Sequence, residues 1–149
     1  MCDEGHRLGP TAFAWLKRKV SDVMVAIDAK GELSVRIMGD EEMAQAHQTH
    51  KGVSGTTDVL TFDLSDTGDT LDADILICFD EASRQAEARE HTVEQELLLY
   101  IVHGVLHCVG HDDHDEERAR KMHDAEDEIL ARIGVSATYA RPTLHGGGH

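Results

Sequence analysis

From Leu97 to Val109 the chain is apolar except at His103, Gly104 and His107. A helix over residues 93–109 built from such residues is apolar nearly all round, so the rest of the chain has to bury it. It is too short to span a membrane, which takes about 20 apolar residues. His103 and His107 stand four residues apart, a spacing that stacks them on one face of the helix. Gly110 offers the helix a stop, and His111, Asp112, Asp113 and His114 follow it directly. A buried imidazole without a partner costs roughly 2–7 kcal/mol. A metal would satisfy both histidines at once, and two imidazoles on a helix with a third ligand from a turn make a zinc site with an open position. That position holds a water for the metal to activate. The plainer alternative is a pair of core histidines bonded to carbonyls or carboxylates. On residue type alone the third ligand stays open among Asp112, Asp113 and His114, with His favoured as the commoner donor. His111 would stack beyond His107 only if the helix ran past Gly110. Gly104 costs about 1 kcal/mol against Ala in mid-helix, which points to something packed close to the backbone there. The glutamate of the protease motif H-E-x-x-H has no counterpart, since Gly104 follows His103.

The rest of the chain supplies the covering elements. Pro10 to Val20 reads as a first helix, with Pro10 near its start. Four strands are expected: Asp22–Asp28, Leu33–Met38, Asp58–Leu64 and Ala73–Phe79. Asp40 caps a helix carrying Met43 and Ala46. Asp80–Arg89 is helical, Thr92-Val93-Glu94-Gln95 reads as the cap of the apolar helix, and Asp115–Ile133 is a charged amphipathic helix. Ala119, Met122, Ala125, Glu126 and Ile129 lie along one of its sides. Strands mostly first and helices later make the class α+β. The expectation is one domain over 1–144, with a loose tail at 145–149.

A net charge of −15 argues against a surface that binds nucleic acid everywhere. The charge is uneven: seven Lys or Arg face nine Asp or Glu up to residue 60, and seven face twenty beyond it. An RNA-binding face would therefore draw on the first half, on Arg7, Lys17, Arg18, Lys19, Arg36 and Lys51. Cys2, Cys78 and Cys108 are scattered and odd in number, the usage of reduced thiols in a cytosolic protein. The opening residues are polar and lack the apolar core of a signal peptide. Cys108 points away from the histidine face and reads as a small core residue.

His103-Gly104-x-Leu106-His107-x-x-Gly110-x-Asp112 resembles the signature of the YbeY family, H-G-x-L-H-L-x-G-Y-D-H. Thr57-Asp58-Val59-Leu60-Thr61-Phe62 resembles the family's P-T-[ND]-V-L-S-F, and Asp74-Ile75-Leu76-Ile77-Cys78 its G-D-I-x-I-C strand. Their order and spacing hold over roughly residues 10–135. The family consists of metal-dependent endoribonucleases specific for single-stranded RNA, linked to rRNA maturation, including the 3′ end of 16S rRNA, and to ribosome quality control. The resemblance implies a small mixed sheet covered by helices, with the two-histidine helix lining a cleft. It implies one zinc ion held by His103, His107 and Asp113. Asp113 stands where the family has its third histidine, because the helix beyond stays in register at Met122, Glu126 and Ile129; His114 is the neighbouring candidate. Lys51 falls where the family carries an arginine thought to act on phosphate. Lysine can neutralise a phosphate but lacks arginine's bidentate fork. His107 and Lys51 are the implied catalytic residues, with Thr56, Thr57 and Asp58 either shaping the cleft or forming a strand-entry turn. The implied partners are single-stranded RNA and the ribosomal subunit or its proteins, in the cytoplasm, with neither DNA nor membrane. Two other readings fit the same residues: a zinc hydrolase acting on peptides or small molecules, and a ribosome-assembly factor with a structural metal whose acidic half binds a basic protein.

Overall fold

The apolar helix is built as its sequence demands. In the structure, a computed structural model, Val93–Cys108 forms one helix whose residues from Glu96 to Val102 and from Gly104 to Leu106 are buried. The structure describes residues 1, 3, 7–27, 30–51, 58–64, 71–108 and 115–135, and at 50 and 51 the backbone only. In chain order the elements are α1 (Pro10–Ala26), β1 (Leu33–Met38), α2 (Asp40–Lys51), β2 (Val59–Asp63), β3 (Ala73–Cys78), α3 (Phe79–Arg89), α4 (Val93–Cys108) and α5 (Glu116–Arg132). Among the described residues no helix is long and apolar enough to cross a membrane.

The sheet is mixed and has the order β1-β3-β2, with β1 parallel and β2 antiparallel to β3. Alternation gives it two faces. Val35, Ile37, Ile75 and Ile77 are buried in the main core, with Val59 against them. On the opposite face Leu60 and Cys78 form a smaller cluster with Met43 of α2, and Phe62 and Leu76 lean on it. The main-core face carries α4, which α1, α3 and α5 flank. Leu97, Leu98, Leu99 and Ile101 are completely buried there, and each such side chain is worth about 1.5–3 kcal/mol of hydrophobic stabilisation.

The sheet has three strands among the described residues, not four, because the expected strand at Asp22–Asp28 is the end of a helix as far as it is described. In a strand Val23 and Val25 would share a face. Here Val23 is fully buried and Val25 is 80% exposed, while Leu16, Val20 and Val23 form the helical stripe that meets the core. Lys51, which the sequence places in the loop before the strand at Asp58–Leu64, is instead the last residue of α2.

The turn into α4 is a reciprocal cap. The Thr92 hydroxyl accepts from the Gln95 backbone N–H at 3.2 Å, and the Gln95 side-chain oxygen accepts from the Thr92 N–H at 2.9 Å. Just before it, Glu90 takes a left-handed conformation with φ 59°. That turn brings Arg89 and His91 to Glu96, a carboxylate with no exposed surface, at 3.0 and 2.5 Å. A buried charge is tolerated when it is paired in this way.

Candidate metal centre

Burial of α4 on most sides leaves one strip of the helix for chemistry. His103 and His107 lie one turn apart on it. His103 is half-buried and its side chain is 31% exposed; His107 is exposed. This corrects the expectation that both imidazoles sit in a dry core. Desolvation weighs in part on His103 and not on His107, because the histidine strip runs out from under the helices.

His103 Nδ1 lies 3.2 Å from Oε2 of Glu126 on α5. Glu126 is fully buried, and among the described residues its other oxygen, Oε1, has no hydrogen-bond partner. Of the two readings of His103, the carboxylate partner is therefore present, but it engages one of the two ring nitrogens. Glu126 is the site residue that sequence reasoning passed over. Its signal was an acidic side chain on the face of α5 that otherwise carries Ala119, Met122, Ala125 and Ile129.

Gly104 brings this part of α4 down onto the sheet. A β-carbon there would stand 2.7 Å from Thr61 Oγ1 and 3.0 Å from Ile75 Cδ1, so the close approach expected from a mid-helix glycine is present. Cys108 ends the helix half-buried. Burial, aided by the negative charge of Asp63, pushes its thiol up to about 11. Without a metal beside it, it therefore stays protonated at neutral pH.

Asp58 is exposed; its carboxylate accepts from the Val59 N–H at 2.8 Å and its carbonyl from the Cys78 N–H at 3.0 Å. Those bonds place it at the entry to β2. Thr56, Thr57, His111, Asp112, Asp113 and His114 lie outside the described residues, as does the side chain of Lys51. Among the described residues no group of three or more His, Cys, Asp or Glu is placed to hold a metal. What is present is a pair of donors. Two imidazoles one helical turn apart, one of them held by a buried carboxylate, are a fitting partial donor set for zinc.

A mixed sheet roofed by a buried helix with two histidines on its open strip defines an α+β protein with a pair of imidazole donors one helical turn apart. Comparison with known proteins gives the family: residues 10–134 match the family model described as Endoribonuclease YbeY. The chain belongs to the YbeY endoribonuclease family, as a divergent member. It is 36% identical over 128 residues to Endoribonuclease YbeY of Frankia alni, covering 78% of this chain and 70% of that one. It is 30% identical over 148 residues to the protein of the same name from Shouchella clausii, covering 89% and 92%. The solution structure of TM1509 from Thermotoga maritima superposes with a TM-score of 0.64 at 25% identity, over 84% of this chain and 83% of that one.

Proposed function

We propose that this protein is a zinc-dependent endoribonuclease that cleaves single-stranded RNA during rRNA maturation, the 3′ end of 16S rRNA included, as one domain over residues 1–144 in the cytoplasm. The observation that carries the reading is the histidine pair on α4, in a chain whose family is named for endoribonuclease activity. His103 and His107 would hold the metal with Asp113, or with His114 in its place. When bound, zinc supplies a Lewis acid that makes water nucleophilic near neutral pH.

The chain's own residues do the remainder. His107 stands exposed at the end of the strip, where a polymer can reach it without the protein opening. His103, further in, is held on its Nδ1 side by Glu126. Lys51, closing α2, supplies positive charge to offset charge developing on a phosphate. It belongs to the half of the chain in which acids and bases nearly balance. Ribosomal RNA and ribosomal proteins are the partners this reading implies.

The test measures zinc content and cleavage of an unstructured RNA oligonucleotide for H107A, K51A, D113A and H114A. H107A should lose both stoichiometric zinc and cleavage. K51A should keep its zinc and cleave about 10²–10³-fold more slowly, the usual cost of one electrostatic stabiliser. Whichever of D113A and H114A loses zinc names the third ligand. Full cleavage by metal-free H107A would overturn the proposal.

A further inference from the structure

We infer that Glu126 is a positioning residue that fixes the tautomer of His103, with the proton on Nδ1 and the lone pair of Nε2 turned to the metal; the second half of this statement rests on the function proposed above. A carboxylate accepts hydrogen bonds and cannot donate them. With Oε2 of Glu126 at 3.2 Å from Nδ1, that nitrogen carries the proton and Nε2 is the basic one.

The position of Glu126 is fixed by packing. It lies on α5 between Met122, Ile129 and Leu130, all buried, so the carboxylate cannot swing away into solvent. Its energetics point the same way. Glu126 has no exposed surface, and among the described residues Oε1 has no hydrogen-bond partner. A buried carboxylate with an acceptor left unmade is a cost to the fold, and an apolar side chain of similar volume would often serve stability better. Carboxylates that orient a ligating histidine typically account for 10–100-fold in metal affinity.

This gives Glu126 a signature that a purely structural residue lacks: stability and metal affinity should move in opposite directions. The experiment compares wild type, E126Q and E126M, with H107A as control. Each is measured for thermal melting without metal and for zinc affinity by chelator competition. Two-bond ¹H–¹⁵N spectra of metal-free wild type then assign the neutral His103 ring. E126M should melt at or above wild type and bind zinc about 10–100-fold more weakly. E126Q, whose amide oxygen still accepts from Nδ1–H, should recover most of that affinity. The wild-type spectrum should show the proton on Nδ1. A proton on Nε2, or wild-type zinc affinity in E126M, would overturn the assignment. Should wild type bind no zinc at all, the proposed function fails, while the spectrum still decides the tautomer.

Discussion

Gly104 is where the demands of packing and site meet in one residue. It lies between the two histidines, and its missing side chain lets α4 rest on Thr61 and Ile75. Alanine there would gain about 1 kcal/mol of helix propensity but would be forced against the side chains of Thr61 on β2 and Ile75 on β3, an overpacking cost of about 1–3 kcal/mol. G104A should therefore melt a few degrees below wild type. Adding G104A to a T61A background should cost about 1 kcal/mol less than adding it to wild type, because contacting residues couple; equal costs in the two backgrounds would show that Thr61 is not the obstacle. The glycine's role was legible in the sequence because a mid-helix glycine costs stability unless something fills its place. The histidine pair was legible from spacing. Glu126 was legible only as an exception on an apolar face, since sequence does not say which residue of α4 a residue of α5 will meet.

At the scale of elements, helices are held to one another by charges at their ends as well as by apolar faces. Arg84 of α3 grips Asp40 at the start of α2 through two bonds of 2.9 Å and also bonds Glu81 at 2.8 Å. The hydrogen bonds from Arg84 hold the Asp40 carboxyl below its usual range. Glu81 is lowered too, first by the bond from Gln85 and then by Arg84. A carboxyl depressed in the folded state contributes stability above its unfolded pKa and loses it as pH falls through the folded one. R84A should therefore melt below wild type at neutral pH, and the gap should close as the pH drops below the carboxylate range. A gap that stays constant with pH would place the effect of Arg84 in its packing. The links are exposed, so high salt should also narrow the gap. The cap at Thr92 and Gln95 was legible because a capping box is local chemistry. The apolar stretch after Asp22 was not: a short run of Val, Met and Ala suits a strand or the last turns of a helix equally, and what decides it is which residues α4 covers.

For the whole molecule, the buried helix dictates the plan. A segment as apolar as Leu97–Leu106 needs cover on nearly every side, and a sheet on one face with helices around the rest provides it. The α+β class follows from the order of strands and helices, and the mixed pairing of β3 with a parallel and an antiparallel neighbour agrees with the sheet that the family resemblance implied. Strand number was harder to read, because it hinged on one ambiguous run. The uneven charge is a property of the complete chain too: with −15 overall, a nucleic acid has to find a restricted approach, and its binding should weaken with added salt.

The most direct test of the central claim is the initial rate of cleavage of a fluorescently labelled single-stranded RNA by chelator-stripped protein, before and after one equivalent of zinc is restored. Stripped wild type should be inactive and regain its rate with zinc, and the H103A/H107A double variant, folded by circular dichroism, should regain none. Equal cleavage by stripped and zinc-loaded wild type, or recovery in the double variant, would contradict it.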